Sequence, residues 1–242
     1  MDLRLATPEM QLREFVDRML MRQNTAIPGI VKSFNATRQT VSAQPAIKMR
    51  TNIDGVEGYV EPPILVEVPI VYPRAGGYAL TLPIAVGDSC LLLFSQRAID
   101  NWLDRGGVQP PEEGAIGSRH HDLTDAIAVF GPFPTPQALT GWLTNGIELR
   151  NASRGTRVTI QGNVVTVQSG TSLITVNPDG SIEITAATGV TINGPLLVTG
   201  AIVSQTSLAD PLGTMGEVRT VYNSHTHNEG GTVTATPNQG MS

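Results

Sequence analysis

Apolar residues follow three successive spacings along the chain, and each predicts a different kind of element. Leu12, Phe15, Val16, Met19 and Leu20 recur every three or four residues, with Arg13, Asp17 and Arg18 elsewhere around the wheel. That spacing predicts one amphipathic helix within residues 1–25. Thr7 followed by Pro8 supplies its N-cap and first helical position. Lying at a terminus ahead of the break Ala26-Ile27-Pro28-Gly29, the helix suits packing on its own domain or a docking arm for another chain.

Residues 26–136 carry short strand-like runs separated by turn residues: Gly29–Phe34, Gln39–Ala43, Ile64–Val71, Tyr78–Leu82, Ser89–Phe94 and Ala126–Phe130. Five or six strands in about 105 residues predict a small β-barrel or sandwich, with an OB-fold-like barrel as the expected form. Arg97–Asp125, holding Trp102 and Pro110-Pro111, reads as an excursion from it. Pro132, Pro134 and Pro136 can neither continue a helix nor sit in a central strand, so they mark a domain boundary.

From Gly146 the spacing becomes two. Ile147 and Leu149, Val158 and Ile160, Val165 and Val167, Ile174 and Val176, Ile182 and Ile184, Val190 and Ile192, and Leu196 and Val198 alternate with polar residues, and glycine punctuates the runs. One face of each strand is therefore apolar, a β-solenoid signature over residues 137–222. Each strand supplies only two or three small apolar residues, too few for one chain to close a core. Three chains wound about an axis would supply the rest and leave no long free edges, in a rod roughly 40 to 50 Å long. A single-chain β-helix or a terminal sandwich is the alternative.

Charge sharpens this division. Of 37 charged residues, 27 precede position 145 and 10 follow; no lysine lies beyond Lys48, and Tyr222 is the only aromatic after Trp142. The net charge of -5 has the wrong sign for a phosphate-backbone partner. The barrel segment's basic residues (Lys32, Arg38, Lys48, Arg50, Arg74, Arg97, Arg105 and Arg119) lack interleaved aromatics, so no nucleic-acid partner is expected. The charged N-terminus lacks a signal-peptide core and no run is long enough to span a bilayer, which predicts a chain made as a soluble protein in the cytoplasm. A single cysteine, Cys90, excludes an intrachain disulfide and a structural zinc cluster.

Two of the four histidines, His225 and His227, close the solenoid region in Ser224-His225-Thr226-His227. On extended backbone, residues i and i+2 face the same side. Two ligands make no metal site in one chain, but three chains would bring six nitrogens to one axis, a number suited to an octahedral divalent ion such as iron(II). The alternative is a pair of exposed histidines in a tail. Residues 228–242 have almost nothing to bury, and a metal would explain how they stay folded.

In order, an amphipathic arm, a small barrel, a low-charge repeat, and Tyr222–His227 with Gly230-Gly231 and a Pro-Asn-Gln ending occupy nearly the whole chain. This order resembles the central spike proteins of contractile-tailed phages, the baseplate assembly protein V-like, membrane-piercing group. Asn223–His227 is the most specific part, and Ser118–Phe130 looks like the closing strand region of that family's OB-fold. The resemblance implies a mostly β homotrimer. Its N-terminal arm and OB-fold would attach to a tail hub protein, followed by an intertwined triple-stranded β-helix (137–222) and an apex (223–242). There His225 and His227 of three chains would hold one iron ion. It also implies a place at the tail baseplate tip of the virion, and penetration of the host outer membrane.

Other functions have weaker support. His120-His121-Asp122 with Cys90 or Ser118 would be a nucleophile and base, yet Cys90 sits mid-run among leucines and no nucleophile-elbow motif surrounds Ser118. Glu112-Glu113 lies in a Pro/Gly loop rather than in a paired-carboxylate site. A tail-associated hydrolase is thus disfavoured and no enzyme is expected. A receptor- or polysaccharide-binding tail protein would need exposed aromatics at its tip, and only Tyr222 is available.

Overall fold

The computed structural model describes residues 7–21, 23–53, 55–211 and 213–241, and divides the chain into two compact units between Trp142 and Leu143. The first begins with helix α1 (Pro8–Met21). Thr7 caps it as expected, its Oγ1 accepting from Met10 N at 3.3 Å, and exposed Glu9–Arg13 and Glu14–Arg18 pairs lie one turn apart. No residue of α1 is buried. The rest of the expected arm, residues 1–6 and 22, lies outside the described residues.

The first unit continues with β1 (Ala26–Asn35), β2 (Thr40–Pro45), β3 (Met49–Ile53), β4 (Val56–Val60), β5 (Leu65–Val71), β6 (Arg74–Ala75), β7 (Tyr78–Ala79) and β8 (Ser89–Phe94). Helices α2 (Asp100–Arg105) and α3 (Gly114–Gly117) and strand β9 (Ala126–Phe130) follow. Five strands close a barrel in the order β1-β2-β5-β9-β8, with β5 and β9 parallel and the remaining pairs antiparallel. Counted as five barrel strands in chain order, they run 1-2-3-5-4. Alternation along β2 and β8 sends Val41, Ala43, Cys90, Leu92 and Phe94 inward to meet Val31, Leu65, Val68, Ala126 and Ala128. Gly29 lets β1 approach β8, since a Cβ there would stand 2.8 Å from a Leu92 methyl and 3.1 Å from Cys90 Sγ.

Two departures from the expected strand set lie outside the barrel. Hairpin β3–β4 was not foreseen, because Met49–Ile53 does not alternate cleanly. Tyr78–Leu82, expected as a strand, pairs through Tyr78–Ala79 with Arg74–Ala75 across Gly76-Gly77, and Leu80 N adds one bond to Pro73 O at 2.9 Å. Pro83 then removes a ladder donor.

The second unit opens with an antiparallel meander: β10 (Gly146–Arg150), β11 (Thr156–Gln161), β12 (Val164–Ser169), β13 (Ser172–Val176) and β14 (Ile182–Thr185). Strands expected around Val190–Ile192 and Leu196–Val198 are not formed. Within one chain the ladder ends at β14, and these segments have the alternation without a neighbouring strand to pair with. Short strands β15 (Ala209–Asp210) and β16 (Gly213–Thr214) lead into helix α4 (Met215–Ser224), and a hairpin of β17 (Asn228–Glu229) and β18 (Thr232–Val233) turns through Gly230-Gly231. Helix α4 corrects the expectation of continuous β-repeat to residue 222. Thr214 and Glu217 form a reciprocal capping box that starts it.

Candidate functional site

The meander has its polarity reversed relative to a soluble monomer's sheet. Cross-strand pairing aligns Ile147, Ile160, Val165, Val176 and Ile182 in one row, and Leu149, Val158, Val167, Ile174 and Ile184 in the next. All ten lie on one face, between 36% and 70% exposed. On the other face Glu148 and Arg150 keep only 7% of their side-chain surface, and Thr159 is buried. Glu148 accepts ion pairs there from Arg150 at 3.5 Å and Arg154 at 2.9 Å. Among the described residues from 143 onward, Thr159 alone is buried. Ten half-exposed aliphatic side chains in two adjoining rows make a contiguous apolar patch of the kind that marks an interaction surface.

Helix α4 delivers the histidine pair. His225 is its C-cap, on extended backbone at φ -70° and ψ 148°. The ring Nδ1 lies 2.6 Å from Tyr222 O. A carbonyl only accepts, so Nδ1 carries the proton of the neutral ring and Nε2 presents a free lone pair, the arrangement that orients a metal-binding imidazole. His227 stands beside it with ring centroids 5.1 Å apart and planes at 84°. The structure thus places the two expected ligands side by side in an edge-to-face ring contact. Among the described residues no three His, Cys, Asp or Glu side chains of one chain gather at a metal-binding distance.

The residues of the hydrolase alternative stay apart. Cys90 is fully buried and its thiol is pushed up to about 11 by burial. His121 donates its backbone N–H to Ser95 O, five residues beyond Cys90 or about 16 Å along an extended strand. Ser118 Oγ donates to Ala115 O at 2.7 Å. Asp122 is a local cap, accepting from Thr124 N and Thr124 Oγ1, and these hydrogen bonds hold its carboxyl below the usual range. Glu112 and Glu113 lie in a loop before α3, and Trp102 is half exposed on α2.

Sequence reasoning missed the cluster that fastens the excursion to the barrel. Arg119 bridges Asp100 and the buried Asp125, whose Oδ1 lies 2.9 Å from the guanidinium and also accepts from Ile99 N at 3.2 Å. Desolvation pushes the Asp125 carboxyl upward, against the pull of the Ile99 hydrogen bond and the Arg119 charge. Residues far apart in the chain give no spacing signal for such a cluster. An apolar cavity of about 220 Å³ between Phe34, Ile70, Leu82, Ile84 and Phe130 was likewise unforeseen.

Residues 27–131, the barrel segment, match the family model described as the phage protein Gp138 N-terminal domain. The match spans less than half of the chain and indicates a phage structural protein of the tail or baseplate type. No curated protein matches the sequence.

Proposed function

We propose that the chain is the membrane-piercing central spike of a phage tail baseplate, a homotrimer driven through the host outer envelope when the sheath contracts. The apolar face of the β10–β14 meander carries this reading. Ten aligned aliphatic residues stay half exposed among the described residues of their own unit, and copies of the same face about a threefold axis would bury one another. The phage domain match supports the setting, and the barrel's 1-2-3-5-4 strand order supports its OB-like part.

In this assignment the arm (1–25) and barrel (26–136) attach to the tail hub, residues 137–214 form the interwound shaft, and helix α4 leads from it into the apex (223–242). His225 and His227 of three chains would hold one iron(II) ion. Such an ion cross-links chain ends that have little to bury. The task is mechanical: piercing needs slow unfolding under force, which interwound chains with many cooperative strand bonds provide. The buried Cys90 thiol has no role in it, nor does a nucleic-acid partner.

Native mass measurement with elemental analysis tests the reading. A trimer with one transition-metal ion is the expected result, and a stable folded monomer would overturn it.

A further inference from the structure

Asn223 opens the Asn223–His227 motif, and its side-chain amide is committed away from the imidazoles. Nδ2 donates to Met241 O at 3.1 Å, and Met241 N donates back to Oδ1 at 2.7 Å. The side chain thereby pairs with a backbone eighteen residues away as a strand neighbour would. The approach is close: a Cβ on Gly240 would stand 3.1 Å from Asn223 Oδ1. A second tie lies nearer the rings, where His227 N donates to Thr234 Oγ1 and Thr234 N donates to His227 O, both at 2.8 Å. The tail after His227 is thus tied at its middle and at its end. None of its described residues is buried, so polar pairing rather than packing holds it. Ser224 is already occupied, its Oγ donating to Thr220 O.

We infer that Asn223 is a positioning residue for the metal site, closing the chain end into a loop beside His225 and His227 and so slowing loss of the ion. The inference rests on the metal reading proposed above. Asparagine suits the task because one side chain must donate and accept at once. Aspartate would keep the acceptor for Met241 N and turn a carboxylate oxygen toward Met241 O.

The test uses the full-length assembly, as wild type, Asn223→Asp and Gly240→Ala. Iron loss to an excess of chelator, amide exchange at Met241 and native mass are measured together. Both variants are expected to keep the wild-type mass, to lose protection at Met241, and to release iron about 10-fold faster or more, the usual scale for a group that orients a metal ligand. Gly240→Ala disturbs the pairing without changing a residue of α4, so its rate decides the matter if Asn223→Asp fails to assemble. Wild-type release rates in a Gly240→Ala assembly that has lost Met241 protection would overturn the inference and leave the metal reading standing. A wild-type trimer without stoichiometric metal would overturn that reading, and the inference with it.

Discussion

Ile174 of β13 lies directly across the ladder from Val167 of β12, and the two keep 41% and 45% of their surface open. They sit mid-sheet, where a soluble monomer would have its best-covered positions. The sheet's protected side instead carries Glu148, Arg150 and Thr159.

A charge at this pair should therefore act on assembly before it acts on the strand. Val167→Asp in the full chain is expected to abolish the trimer, because three carboxylates would be buried together near one axis. Thr185→Asp, on the opposite face and exposed on the edge strand β14, is expected to leave the mass unchanged. Analytical ultracentrifugation of both variants checks this, and a trimeric Val167→Asp would count against the shared apolar face.

The barrel should behave as an ordinary core. Leu92 is fully buried, so Leu92→Ala is expected to cost about 2 to 5 kcal/mol. Gly29→Ala should also destabilise, since its new methyl meets Leu92 and Cys90. Denaturant midpoints for the barrel transition measure both.

Much of this was legible in sequence, for definite reasons. Alternation found β1, β2, β5, β8 and β9 because each has one face on a core its own chain supplies. It also found β10–β14, whose apolar positions alternate although no core covers them. It failed at Val190–Val198, since a period of two states a preference while a ladder requires a neighbour. Helix α4 left two readable signs: Thr214 with Glu217 as a capping box, and Met215, Val218 and Tyr222 at helical spacing. The Arg119–Asp125 cluster left none, because it depends on how the excursion folds back. The histidine pair was legible as a motif, whereas the Tyr222 carbonyl that fixes its tautomer is a property of the helix end.

Asp125 gives the barrel a definite pH dependence. Its carboxyl is raised above the ordinary value of 3.8, chiefly by desolvation, so the folded state holds the proton more tightly than the unfolded chain. The associated stability is fully present below the unfolded value and is lost as pH rises through the raised folded one. In Asp125→Asn this downward slope above about pH 4 should vanish. Comparing midpoints at mildly acidic and neutral pH in the two proteins reads it, and an unchanged slope would assign the effect elsewhere.

The exposed apolar stripe of α1 includes Phe15 at 56% and Leu12 at 62%. If it docks on the hub, deleting residues 1–23 should leave a soluble trimer that no longer attaches. Co-sedimentation with purified baseplates measures attachment. Loss of trimerisation instead would place the arm within the spike's own core.

The last prediction concerns the two rings. With His225 and His227 both changed to Ala, the trimer should carry no ion, and amides after about residue 223 should lose exchange protection, because the polar pairs Asn223–Met241 and His227–Thr234 are exposed and no described residue of that segment is buried to back them. Barrel and meander should keep their protection, being held by burial and strand pairing. Tyr222→Ala gives the sharper comparison. It removes the ring that lies 5.4 Å from His225 but keeps the carbonyl that accepts from Nδ1, so the ion should be retained at full stoichiometry. Metal lost from Tyr222→Ala as completely as from the double histidine variant would show that the aromatic packing, rather than the fixed tautomer, prepares the site.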